Sequence, residues 1–288
     1  MATNTRDIKD RITSVEKTNK ITQAMKMVSA AKFKRNLKSL DHVKDYGSGL
    51  ESIMTSLSKR LFDDELPELL QENDSPQVAI IVISSDRGLC GGFNANIIKK
   101  TKLIIEESYP KAKTSIISIG KKSSEHFMKN GYEVISTHDD LYNEISFSAV
   151  SKIAEEIMTV FVNGEYDKGY LVYNQFKNAA TQNVMQESFL PVQNENDKTT
   201  QKIDYIFEPS QTKIVNSLIP KSLKTQLFKA ILDSHASEHG ARMTAMHKAT
   251  DNASELKKEL TLTYNKARQA AITGEILEIV GGAEALNG

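Results

Sequence analysis

From Met1 to Tyr46 the chain contains neither glycine nor proline, the two residues most disruptive to a helix. Within that stretch Ile8, Ile12 and Val15 fall at helical spacing. Ile21, Met25 and Val28 resume it after a polar gap, and Phe33, Leu37 and Leu40 continue it. The pattern predicts one N-terminal helix that starts near Thr5 and runs past Gly47 and Gly49 to about Leu61. At about 1.5 Å per residue, roughly 46 helical residues would span about 70 Å, so part of the helix is expected to project beyond a compact domain.

The C-terminal end mirrors this. Between Pro220 and the Gly281-Gly282 pair only Gly240 and Gly274 interrupt the run. Ala241, Ala245, Ala249 and Ala253 recur every fourth residue as a narrow small-residue stripe. Such a stripe lets two helices approach closely and suits a coiled-coil seam more than a globular core. The expectation is a helix over 209–286 that pairs antiparallel with the helix over 1–61.

Between them the period changes. Gln77–Ser84 (QVAIIVIS) is a buried-strand run, and the glycine-rich loop Ser85–Phe93 follows it. A helix over Asn94–Ser108, a strand over Thr114–Ile119, a short helix over Lys121–Lys129 and a strand over Tyr132–Ser136 come next. Ser146–Val162 is an amphipathic helix and Gly169–Asn174 a fourth strand. This alternation predicts an open, largely parallel sheet with covering helices. Strands near Thr181–Leu190 and Ile203–Phe207 extend its edge, with an exposed turn at Asn194–Thr200 between them. The fold class is therefore α/β: a long antiparallel coiled coil of N- and C-terminal helices with a Rossmann-like α/β domain inserted over 75–208.

Composition narrows the setting. The 288 residues hold one large or two modest domains, with 39% apolar and 26% charged residues, no Trp, and a single cysteine, Cys90, which excludes an internal disulfide. No apolar run reaches the roughly 18 to 20 residues that span a bilayer. The first six residues fit neither a signal nor a transit peptide. The mature chain is thus expected to begin here, in the cytoplasm, and to meet a membrane only through partners. The net charge is zero, yet residues 1–40 hold ten Lys/Arg against three Asp/Glu, 10 − 3 = +7, while 63–72 hold five acids and no base. Nucleic acid, acidic lipid or an acidic protein surface would each suit the basic helix, and charge alone does not choose.

Five features invite a chemical reading. The loop SSDRGLCGGFN sits between strand and helix, where phosphates bind, but it lacks the P-loop GxxxxGK(S/T) and fails GxGxxG spacing. A tight turn that uses glycine backbone is the better account. Cys90, with Arg87 nearby but no adjacent base or resolving cysteine, reads as a structural thiol. His235-Ala-Ser-Glu238-His239 fits HxxEH, with two histidines one turn apart as zinc would need. On a solvent-exposed shaft helix without a third ligand it reads as chance. The basic run Lys32-Phe33-Lys34-Arg35 with Lys38 reads as a solvated helix face. Asp139-Asp140 and Glu155-Glu156 are adjacent surface pairs without convergent acid/base geometry. No catalytic, cofactor or metal residue is assigned. An enzyme using the glycine loop or HASEH, and an adaptor binding nucleic acid, remain the alternatives to a mechanical part.

The two ends carry more than periodicity. Residues 5–35, TRDIKDRITSVEKTNKITQAMKMVSAAKFKR, and residues 241–280, ARMTAMHKATDNASELKKELTLTYNKARQAAITGEILEIV, resemble the gamma subunit of F-type ATP synthases, as does SSDRGLCGGFN. The resemblance covers the whole length. It implies a rotor shaft without catalysis of its own, standing in a ring of three alpha and three beta subunits and resting on the epsilon subunit and the membrane c-ring. Met25 in KITQAM matches the position facing the beta-subunit lever, and Lys26 lies on the basic face that suits the acidic lever. Arg268 and Gln269 in KARQA match the pair reaching the beta-subunit catch loops. Arg242, Thr273 and Glu275 match C-terminal positions tied to coupling, and Ile272–Leu286 is implied to sit in an apolar collar. Gly274 stands where a larger polar residue is usual, and the cysteine pair inserted in chloroplast versions is missing. With no transit peptide recognisable, the expectation is a bacterial enzyme rather than a mitochondrial one, peripheral on the cytoplasmic face of the cell membrane.

Overall fold

The computed structural model describes residues 5–58, 68–70, 77–110, 112–179, 181–192, 208 and 211–287. Its regular elements are α1 (Thr5–Ser58), β1 (Gln77–Ile83), α2 (Phe93–Leu103), β2 (Lys113–Ile119), α3 (Lys121–Lys129), β3 (Val134–His138), α4 (Phe147–Val162), β4 (Lys168–Phe176), β5 (Gln182–Leu190) and α5 (Gln211–Asn287). The expected strand at Ile203–Phe207, the turn at Asn194–Thr200 and the helix end at Leu61 lie outside the described residues. The chain divides into two compact units, Met1–Ser29 with Met243–Gly288, and Ala30–Arg242. Neither boundary falls at a helix end, so α1 and α5 each contribute to both.

The larger unit is built on a five-stranded sheet in the order β3-β2-β1-β4-β5. The first four strands are parallel and β5 runs antiparallel to β4. β1 is central, so both its faces are covered and it reads as a continuous apolar run. Ala79, Ile81 and Ile83 face a core shared with α4 and the first part of α5, including Leu223, Leu227 and Ile231. Val78, Ile80 and Val82 face Phe93 and Ile97 of α2 and Phe127 of α3. Ile80 and Ile81 are fully buried, and each such side chain contributes about 1.5–3 kcal/mol. Ser146 caps α4 by accepting the Ala149 N–H at 3.2 Å.

Boundaries depart from the sequence reading most clearly at β3 and at the end of α2, whereas α5 runs through Pro220 as expected. β3 lies two residues later than expected, over Val134–His138, because its register follows β2 across an irregularity at Ile116/Ile117. The helix over Asn94–Ser108 ends as α2 at Leu103, and Ile104–Ser108 continues in the wider π form. Pro220 lies inside α5, where Ile219 and Leu223 on either side of it are buried.

The smaller unit pairs the start of α1 with the second half of α5. Glu16 meets Lys257 at 2.7 Å. The Asn19 amide donates to Thr250 O at 2.9 Å and Ser254 Oγ at 2.8 Å, and Thr250 donates to Thr22 Oγ1 at 2.9 Å. Partners fall in number along α5 as they rise along α1, so the pair is antiparallel. Its seam mixes apolar and polar residues: Ile8, Thr22, Ser29, Met246 and Ala253 are buried there, and Ile12, Val15 and Met25 are half-buried. Ile21 and Val28, expected on the inner stripe, are instead 59% and 58% exposed. Small seam residues bring the backbones close, and the helix phase then turns the larger side chains outward. The alanine stripe is also not one seam, because Ala241 belongs to the larger unit and packs against the α2/α3 side of the sheet.

Candidate functional site

The sheet order reverses between β1 and β4, and in doubly wound folds ligands bind beyond the carboxyl ends of the strands at that point. The loop after β1 lies there. Its path is fixed by its own side chains: Asn94 Oδ1 accepts the Ser85 N–H at 3.0 Å, and Asn94 Nδ2 donates to Ser85 Oγ at 2.8 Å and Cys90 Sγ at 3.3 Å. Leu89 (φ 62) and Gly91 (φ 61) both take left-handed backbone, which glycine adopts freely and leucine only at a cost. Leu89 nevertheless projects, 66% exposed. At the next strand end, Gly120 (φ 100) brings its backbone so close that a Cβ there would stand 2.3 Å from Ser84 O. Ser84, Ser118, Ser123 and Ser124 bond to one another around this glycine. The Asp86 carboxylate accepts the Lys121 N–H at 3.1 Å, and burial raises its pKa.

Arg242 of α5 packs against this loop. Its guanidinium donates to Arg87 O at 2.7 Å and to Gly88 O at 3.1 and 3.3 Å, and it pairs with Glu238 one turn earlier. Arg242 and Glu238 are 7% and 6% exposed. Burial pushes the Glu238 carboxyl upward, and the guanidinium offsets part of that rise. Cys90 is buried below the loop, and burial raises its thiol as well. The thiol is thus held in its unreactive protonated form.

HASEH is not on an exposed helix face. His239 and Glu238 are buried and His235 is half-buried. The two imidazole Nε2 atoms face one another at 3.0 Å, and His235 Nδ1 meets the Asn36 amide nitrogen at 2.8 Å. Tyr142 lies against the His235 ring, centroids 5.3 Å apart. With the Asn36 N–H donating to Nδ1, His235 carries its proton on Nε2 and donates to His239, leaving the His239 proton on Nδ1. That Nδ1 has no partner among the described residues. Burial, then Lys32 and Arg242, lower His235 to about 4. Burial, then His235, Arg242 and Lys32, lower His239 to about 3. The pair is neutral, internally bonded and flanked by two cations, which disfavours a divalent metal. Among the described residues no three His, Cys, Asp or Glu side chains converge as a metal site.

The remaining predicted positions lie in the smaller unit. Met25 and Lys26 are half-buried on α1, whereas Arg268, Gln269, Thr273 and Glu275 are exposed on α5. The structure therefore separates Arg242, which is internal to the larger unit, from the other six. What the sequence reading missed is the outward apolar surface of α1; the apolar C-terminal surface falls within Ile272–Leu286, the stretch that the resemblance implied for a collar. Met27 (61%) stands out beside Ile21 and Val28, and Ile276, Leu277 and Ile279 are 55–71% exposed near the C-terminus. The signal available in the sequence was the alanine stripe, because small seam residues leave the larger ones outside. In α1 the basic run stays on a solvated face: Lys32, Lys34, Arg35 and Lys38 are exposed, while Phe33 turns inward to Phe176 at 5.3 Å. No described helix is long and apolar enough to cross a membrane.

These features define a mixed α/β class in which terminal helices flank, in sequence, a doubly wound sheet whose first loop is held by an arginine of the same chain. Comparison with known proteins makes the class particular. The family model described as ATP synthase matches residues 4–286. The ATP synthase gamma chain of Flavobacterium psychrophilum is 51% identical over 286 residues, and that of Christiangramia forsetii is 50% identical over 285, each covering 99% of both chains. Among solved structures, the Tetrahymena thermophila mitochondrial ATP synthase central stalk and c-ring has a chain similar at TM-score 0.60 and 25% identity, covering 80% of this chain and 99% of that one. A chain of the Euglena gracilis mitochondrial ATP synthase shares the fold at TM-score 0.73 and 24% identity, covering 98% and 94%. The chain belongs to the ATP synthase gamma-chain family.

Proposed function

We propose that this chain is the central rotor shaft of a bacterial, proton-translocating ATP synthase and carries no active site itself. The observation behind this reading is the outward apolar surface of the smaller unit, where Ile21, Met27, Val28, Ile276, Leu277 and Ile279 are exposed. Apolar surface of that extent on a helical pair marks a region covered by other chains, and family membership supplies them. Three alpha and three beta subunits surround the shaft, with the epsilon subunit and the c-ring at its other end. The protein is held at the cytoplasmic face of the cell membrane only through these partners.

Rotation then biases three chemically identical beta subunits toward different states by making different contacts with each. Met25 and Lys26 serve the beta-subunit lever, Arg268 and Gln269 the catch loops, and Thr273 and Glu275 the coupling contacts. The exposed stretch Ile272–Leu286 serves the apolar collar. Arg242 acts differently, because its donors are engaged within the chain. It fixes the Arg87–Leu89 tip and so contributes by positioning. The glycine loop holds Arg242 rather than a nucleotide, and the HASEH histidines are spent on each other, which supports leaving the chemistry to the partner ring.

The test is to purify the tagged chain from gently solubilised native membranes and count its companions. One copy with three each of two larger ATP-binding subunits, and ATPase activity, is the expected result. A chain that emerges alone or with nucleic acid would overturn the reading.

A further inference from the structure

Two asparagine–glycine pairs close helices in the larger unit. Asn130 ends α3 ahead of Gly131 (φ 75), and Asn163 ends α4 ahead of Gly164 (φ 77). All four residues are exposed. Glycine offers no side chain to hinder approach to its own nitrogen, so such a pair is prone to attack by that nitrogen on the asparagine amide carbon. Sequence alone gives the two sites equal claim.

The structure distinguishes them through the asparagine side chain. Asn130 Nδ2 donates to His126 O at 2.6 Å, which holds the amide back against its own helix. The Asn163 side chain makes no hydrogen bond among the described residues. The backbones of the two turns are otherwise similar. At α4 the Gly164 N–H reaches Phe161 O at 2.9 Å and Glu165 N–H reaches Val160 O at 3.3 Å. At α3 the Gly131 N–H reaches Met128 O at 3.2 Å and Tyr132 N–H reaches Phe127 O at 3.1 Å. Both turns must open before reaction, and only one of them must also release a side chain.

We propose that Asn163 is a site of spontaneous deamidation and backbone isomerisation. Gly164 N loses its proton to solvent base and bonds to Asn163 Cγ, and the side-chain nitrogen leaves as ammonia, closing a succinimide. Water opens the ring at either carbonyl, giving aspartate or isoaspartate, and nothing is oxidised or reduced. A new carboxylate at the last turn of α4 opposes the helix dipole and joins Glu165 and Asp167 in a short acidic stretch. Isoaspartate also lengthens the main chain between α4 and β4, where the Asp167 N–H is tied to Gln77 O of β1 at 2.9 Å. The site is an ageing point of the fold, independent of the rotor reading.

The experiment incubates the purified full-length chain in mildly alkaline buffer and follows each asparagine by peptide mass mapping, with isoaspartyl methyltransferase labelling of the isomer. The side-chain hydrogen bond on Asn130 corresponds to roughly a two- to tenfold protection, so the Asn163 peptide is expected to convert several-fold faster. In urea the two rates are expected to converge, and Asn163→Gln removes the early label from that peptide, counted apart from the terminal Asn287-Gly288 pair. Conversion at Asn130 first, equal native rates, or no conversion at either site would overturn the proposal. So would a lead for Asn163 that persists undiminished in urea, because sequence rather than structure would then be its cause.

Discussion

Replacing Arg242 by methionine keeps a long flexible side chain and removes all five donors. Three hydrogen bonds to the Arg87 and Gly88 carbonyls go, and Glu238 is left buried opposite an apolar group. Breaking a buried pair from one side costs about 3–5 kcal/mol. Uptake of a proton by Glu238, already pushed up by burial, holds the loss near the lower end. Total stability of a domain is only about 5–15 kcal/mol, so the effect is large. Arg242→Met with Glu238→Gln removes the stranded charge and leaves the two carbonyls, for a loss of about 1–2 kcal/mol. Urea unfolding of the parent, both single variants and the double variant gives the coupling directly. Hydrogen exchange at 86–91 reports whether the loop is released. A single variant within about 1 kcal/mol of the parent, the range of an ordinary substitution, would refute the argument that this guanidinium holds the loop. So would a double variant as damaged as the single one.

Other perturbations follow from the same geometry. Gly120→Ala drives a Cβ into the Ser84 carbonyl at a positive φ; a loss of at least about 3 kcal/mol is expected, and a wild-type urea midpoint would contradict it. His235 and His239 are depressed in the folded state, so the unfolded chain binds more protons below about pH 6.5. Their contribution is complete above that pH and is lost as pH falls toward the folded values, by about 3 kcal/mol for His235 alone. Half-buried Asp86 and buried Asp233 and Glu238 are raised and act in the opposite sense, stabilising at low pH and less as it rises. His235→Gln with His239→Gln is thus expected to flatten the acid limb of a stability–pH profile while leaving ATPase activity of the assembled enzyme intact. Met25→Lys adds a charge to a half-buried position on α1. It is expected to lower proton pumping per ATP in reconstituted vesicles without blocking assembly, and unchanged pumping would remove the lever assignment.

Residues 121–129 and 147–162 fold as their own sequence dictates, because a spacing of 3.6, a terminal glycine and, at 147–162, the Ser146 cap are local signals. The buried run of β1 likewise announces a central strand. The two terminal helices are legible for the same reason, since no breaker interrupts Met1–Tyr46 and few interrupt the C-terminal stretch. The resemblance of the ends, not any catalytic signature, made the family readable. What the chain alone did not decide is which side of each helix meets another element. Periodicity assigned Ile21 and Val28 to a seam, but contact with α5 is set by residues more than two hundred positions away, and it selects Thr22 and Ser29. HASEH looked solvent-facing because the pattern of its helix carries no record of Asn36, Tyr142 or the loop at Arg87. Local propensity is a property of neighbours in sequence. The burial of His239 and Arg242 is a property of neighbours in space, and only the tertiary structure supplied them.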